Sequence, residues 1–129
     1  MEKHQVTHRK NTISLPILTI KGMRKIIAGH SKEDLINATK DINYDVVGKE
    51  LLVNEAEFAS LWKSDLINKF YKKRGILIDD YETTIIIGDD DLNVLKETLE
   101  ECSSFRLKKY LLNLVTYAVT KKSGIIFLF

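Results

Sequence analysis

Apolar and polar positions divide the 129-residue chain into short alternating segments. The run that organises the reading is Thr83-Thr84-Ile85-Ile86-Ile87. Five β-branched residues in a row are stiff at χ1 and fit a pleated sheet better than a helix. An unbroken apolar run predicts a strand covered on both faces, and so a central one. Gly88 and Asp89-Asp90-Asp91 follow, then Leu92, Leu95, Leu99 and Cys102 recur at three- and four-residue spacing. That is one inward stripe of a helix, with aspartates at its positive end and one of them available as a cap.

The same reading places the other elements. Residues 1–11 are polar and predict a flexible tail. Thr12 to Ile20 reads as extended and, because Pro16 lacks an N–H, as an edge or interrupted strand. Met23 to Ala28 is a second short strand. Ser31 followed by Glu33 and Asp34 is a helix start, and that helix ends near Asp41. Gly48-Lys49 between two apolar runs predicts a type II′ hairpin turn. Asn54 with Glu57 three residues on begins a helix whose apolar face runs through Phe58, Leu61, Trp62, Leu66, Phe70 and Tyr71 to a glycine cap at Gly75. A last helix spans Phe105 to about Lys122, ended by Gly124, and Ile125 to Phe129 is a final strand. Strand, two helices, strand leaves room for a crossover that sets this strand parallel to Thr83–Ile87. The expected fold is α+β: residues 12–129 form a single domain, with a mixed, mostly antiparallel sheet of five or six strands and three to four packed helices.

Composition adds bounds. Hydrophobic residues at 44% and charged residues at 29% are ordinary for a globular protein. A single cysteine cannot form an internal disulfide, and no signal peptide is visible, which predicts a cytoplasmic protein. The longest apolar stretch, Leu107 to Val119, is too short and too polar to span a bilayer, so no membrane association is expected.

Charge changes the picture more. The net is +2, but residues 1–40 carry eight Lys/Arg against three Asp/Glu, residues 41–101 seven against fifteen, and residues 102–129 five against none. Such segregation can produce separate basic and acidic faces. Asp79, Asp80, Glu82, Asp89, Asp90 and Asp91 form the acidic group. Hard oxygen ligands of this kind hold Mg²⁺ or Ca²⁺ when they converge, but a five-residue strand between the two halves spans roughly 17 Å. Asp89-x-Asp91-x-Asn93 resembles the start of a calcium loop, yet Val94 stands where the sharp turn needs glycine. Basic groups fall at Lys69, Lys72, Lys73 and Arg74, with Phe70 and Tyr71 interleaved, and at Arg106, Lys108 and Lys109 beside Tyr110. Converging, they would track phosphates and stack bases.

Other constellations read as structural. Ser31 beside His30 is a helix cap before it is a nucleophile. Cys102 closes an apolar stripe next to Glu100 and Glu101, which oppose a thiolate. Scattered glycines give no phosphate-cradling loop, and one cysteine with three histidines gives no zinc spacing. No cofactor or metal is expected. The sequence therefore predicts a small non-catalytic protein that binds another macromolecule. Its most concrete form is an inhibitor or immunity-type protein that presents an acidic face to a protein partner. A nucleic-acid-associated regulator using the basic clusters is the alternative, and an unrecognised metal-dependent enzyme the second alternative.

Overall fold

The structure is a computed structural model that describes residues 6–9, 24–41, 44–79 and 82–129. Its centre is a pair of strands that bury both faces. In β2 (Arg24–Gly29), Ile26 and Ala28 point to one side and Ile27 to the other, and all three are buried. In β5 (Gly124–Leu128), Ile125 and Phe127 join Ile26 and Ala28, whereas Ile126 joins Ile27. Strand β3 (Gly48–Val53) flanks β2, and β4 (Thr83–Ile87) flanks β5. These four strands are the body of an antiparallel sheet, and β1 (Val6–Arg9) pairs outside β3, giving the order β1-β3-β2-β5-β4.

Among the described residues five helices dress the two faces. Leu35 of α1 (Lys32–Lys40) packs with Ile27, Val46 and Ile126 on one face. The other face carries α2 (Glu55–Lys63), α3 (Leu66–Arg74), α4 (Asp89–Glu101) and α5 (Lys108–Lys121), whose leucines close the main core over Ile26, Leu51, Val53, Ile86 and Phe127. Glycine matters where α1 sits down. A Cβ at Gly29 would run into the Leu35 side chain, and one at Gly124 would lie 3.1 Å from Leu35 Cγ. Two glycines on neighbouring strands thus form the floor on which Leu35 rests.

Local signals placed several elements where the sequence puts them. Ser31 Oγ accepts from the Asp34 N–H at 3.2 Å and starts α1. Asn54 and Glu57 exchange side-chain and backbone bonds of 2.8 Å in a full capping box. Gly75 closes α3 in the left-handed conformation, with φ 72°. The stripe Leu92, Leu95, Leu99 and Cys102 is buried.

Other expectations need correction. The sheet is not mixed: every pairing is antiparallel, including β4 with β5, because α4 and α5 form a hairpin that brings the chain back beside β4 rather than across the sheet. Among the described residues Thr83–Ile87 is an edge strand, not the centre; within it Ile86 alone is buried, and the doubly covered run is Ile125-Ile126-Phe127. Gly48-Lys49 is not a hairpin turn but the start of β3, since a Cβ on Gly48 would collide with the Ala28 carbonyl across the ladder. The predicted helix from Asn54 to Gly75 is two helices, broken at Ser64-Asp65, where Ser64 Oγ donates to Leu61 O at 2.5 Å while the backbone turns extended at ψ 166°. Among the described residues helices thus number five rather than three to four. No aspartate side chain caps α4; Gly88, at φ 112°, makes the turn into it. Helix α5 begins at Lys108, and Lys122, not Gly124, takes its left-handed end.

Within the stretch expected as a tail, Val6–Arg9 form β1. The strand expected over Thr12–Ile20 lies outside the described residues. Among the described residues no helix is long and apolar enough to cross a membrane.

Candidate functional site

The acidic residues fall at the two ends of β4. Glu82 stands exposed just before the strand, and Asp79 is half-buried upstream; Asp80 lies outside the described residues. Past Gly88, Asp89, Asp90 and Asp91 fill the first turn of α4, where the helix dipole favours negative charge. The five residues of β4 separate the two groups. Asp89 and Asp90 are exposed, and so are Asn93, Glu97 and Glu100 further along α4. Positions 90, 93, 97 and 100 share one helical face, so the polar stripe runs the length of α4 opposite its leucines.

Asp91 behaves differently. Its Oδ1 lies 2.6 Å from Arg74 Nε. Much of the basic cluster on α3 is engaged in the same way. Lys73 Nζ reaches Glu101 Oε2 at 2.9 Å, and Lys69 Nζ reaches Asp65 Oδ2 at 3.3 Å. One member of each set read from the sequence as a rival surface, Asp91 and Arg74, therefore meet across α3 and α4. Lys73 holds the Glu101 carboxyl below its ordinary range, chiefly through that hydrogen bond. Burial pushes the Asp65 carboxyl up, but hydrogen bonds from Lys69 and from the Ser103 N–H outweigh it and hold the group low.

Lys72 is exposed, and no ion pair involves it among the described residues. Lys108 turns inward, its Nζ donating to the Cys102 carbonyl at 2.7 Å. Lys109 and Arg106 are exposed, and the Arg106 N–H is held by Ser60 Oγ at 3.2 Å. Cys102 itself is buried, its thiol donating to Leu99 O at 3.2 Å, and burial pushes its pKa up. A raised pKa leaves little thiolate for nucleophilic work.

At the start of α1 the Asp34 carboxylate organises three groups. Tyr44 donates to Oδ1 at 2.8 Å; the Val47 N–H donates to Oδ2 at 3.2 Å, and His30 Nδ1 lies 3.4 Å from Oδ2. Ser31 Oγ is taken up by the cap, so the His30–Ser31 pair is spent on holding the helix start and the 44–47 segment together. On the Tyr44 hydroxyl, a hydrogen bond with Asn37 lowers the pKa, but Asp34, burial and Glu33 outweigh it and the net shift is upward. Among the described residues no three His, Cys, Asp or Glu side chains are placed to share a metal ion.

Two features were not read from the sequence. One is a groove of about 430 Å³ on the α1 face, lined by Ile27, Ala38, Tyr44, Val46, Ile126 and Leu128, with Thr83 and Ile85 of β4 along its side. Among the described residues α1 covers the glycine end of that face and leaves the other end to the groove. The other is an aromatic patch on the opposite face. Phe58 stacks on Trp62 at 5.2 Å and meets the Phe129 edge at 5.1 Å, with the Arg24 guanidinium 3.7 Å above the Phe58 ring. The sequence signal for this patch was the excess of large apolar residues on α2: Trp62 is 43% exposed although it lies on the predicted inner face. Compared with protein-family models, curated proteins and solved structures, the chain matches none of them.

Proposed function

We propose that the protein acts by binding another protein, as an inhibitor or immunity-type partner, through the acidic surface around β4 and along α4. One observation supports this reading. Glu82, Asp89 and Asp90 are exposed and enter no ion pair among the described residues, whereas Asp91 beside them and Glu101 at the far end of α4 are matched by Arg74 and Lys73. A chain that neutralises its acids along one seam and leaves them open along the adjoining surface has a field there that steers a basic partner. The basic alternative has less to work with, since Lys69, Lys73 and Arg74 already hold carboxylates.

The test is capture of partners by the tagged chain at low and moderate salt, with bound protein and nucleic acid both quantified. The expected result is a stoichiometric protein partner, lost on the triple change Glu82→Gln, Asp89→Asn, Asp90→Asn and kept on Lys72→Glu. Nucleic acid released steeply by salt and lost on Lys72→Glu would replace this reading with the regulatory one.

A further inference from the structure

The strand ladder fixes which backbone groups of β4 face outward. The His30 N–H donates to Val47 O, which continues the β2–β3 register and makes Ala28–Lys49 and Ile26–Leu51 the mutually bonded pairs. Alternation then turns Lys25 and Ile27 toward β5, Ile125 and Phe127 toward β4, and Thr84 and Ile86 back toward β5. The N–H and C=O groups of Thr83, Ile85 and Ile87 are left on the outer side. No hydrogen bond to any of them is made by the described residues. The strand also lacks the usual guards of a free edge. It has no proline, lysine or bulge, and its five residues are all β-branched.

We propose that this outer edge takes up an extended segment of a partner protein as an added strand. The segment's alternate side chains would be apolar, set beside Ile85 and the mouth of the groove, and its ends basic. Backbone pairing supplies the affinity in such additions, and side-chain pockets and end charges supply the choice of partner. Charge complementarity selects the occupant. The edge is apolar in the middle and flanked by Glu82 at one end and by Asp89 and Asp90 at the other. A second copy of this chain does not fit. Two β4 edges paired antiparallel about Ile85 set Glu82 of each copy opposite Gly88 of the other, beside its Asp89, so like charges meet at both ends. The inference rests on the partner-binding reading above and names the part of the surface, and the kind of segment, that carries it.

The probe is a synthetic peptide of about nine residues that alternates threonine with valine or isoleucine and carries lysine at both ends. The full chain is titrated with it while amide exchange is followed residue by residue. The expected result is saturable binding with new protection at the Ile85 and Ile87 amides, little change at Thr84 and Ile86, and roughly tenfold weaker binding of a version with glutamate at both ends. Thr83→Pro removes one outward donor at the first residue of the strand, a position that tolerates proline, and should weaken binding several-fold. The exchange pattern of the unaltered chain decides the matter should that variant not fold. No binding, protection at other residues, or equal binding of the glutamate version would overturn the inference. So would concentration-dependent self-association that protects Ile85 and Ile87. The partner-binding reading is judged separately: a captured partner lost on neutralising the acids but kept by Thr83→Pro, without protection at β4, would leave that reading standing and remove this one.

Discussion

At the scale of single residues, the tightest constraint is a glycine that local sequence assigns to a turn. Gly48 lies opposite Gly29 in the β2–β3 ladder, and a Cβ there would strike the Ala28 carbonyl oxygen and come within 2.9 Å of Gly29 Cα. Both obstacles are backbone, so relief requires the strands to part. Gly48→Ala is therefore expected to destabilise the protein by about 1–3 kcal/mol or more, the range for overpacking a tight site, measured as a fall in the urea midpoint. Gly75 makes the useful contrast. It sits at φ 72° with nothing within 4 Å of its Cβ position. Gly75→Ala should cost only the left-handed backbone penalty of roughly 1–2 kcal/mol and should leave the β2–β3 amides protected from exchange. A Gly48→Ala variant as stable as the parent would show that the two strands approach less closely than described.

At the scale of elements, α3 and α4 are joined by ion pairs, one of which unites residues that the sequence offered to separate surfaces. Arg74 meets Asp91 and Lys73 meets Glu101. The lowered Glu101 pKa gives the sign of the pH dependence. A carboxyl with a folded-state pKa below its unfolded value, near about 4.3 for glutamate, adds stability above that unfolded value. The contribution is lost as pH falls through the lower folded value. Lys73→Met should return the Glu101 titration, followed by carboxyl NMR, most of the way to the ordinary range; Lys69 supplies only a smaller share of the lowering. A Glu101 titration unmoved by the change would assign the shift to something other than Lys73. These elements also show what sequence can carry. The starts of α1 and α2 and the stripe of α4 were legible because a cap or a periodic face is written within one turn or one helix. The break at Ser64-Asp65 was not, because the apolar spacing from Phe58 to Tyr71 runs through it. The Asp65 side chain is held instead by Ser103, a residue 38 positions away. The acidic residues could be found by inspection, but their division into paired and open members depends on how α3 lies against α4.

At the scale of the whole molecule, the order of strands decides which apolar run is central, and local pattern does not encode that order. Thr83–Ile87 and Ile125–Phe127 are equally rich in β-branched and aromatic residues, yet among the described residues β5 has a strand on each side and β4 has one. Position in the sheet, not composition, makes Phe127 fully buried and leaves Ile87 half-buried. The two strands should therefore answer differently to loss of side-chain volume. Phe127→Ala opens a cavity beneath the helical layer, beside Phe129 at 5.6 Å between ring centroids, and should cost about 3–5 kcal/mol. Against a total stability of roughly 5–15 kcal/mol for a domain of this kind, that is enough to bring the folded state near its limit. Ile87→Ala at the edge should cost less than about 2 kcal/mol, below the range for a fully buried isoleucine. Urea unfolding of both variants, monitored through Trp62, gives the comparison directly. Equal losses would mean that Ile87 is as enclosed on its face of the sheet as Phe127 is on the other.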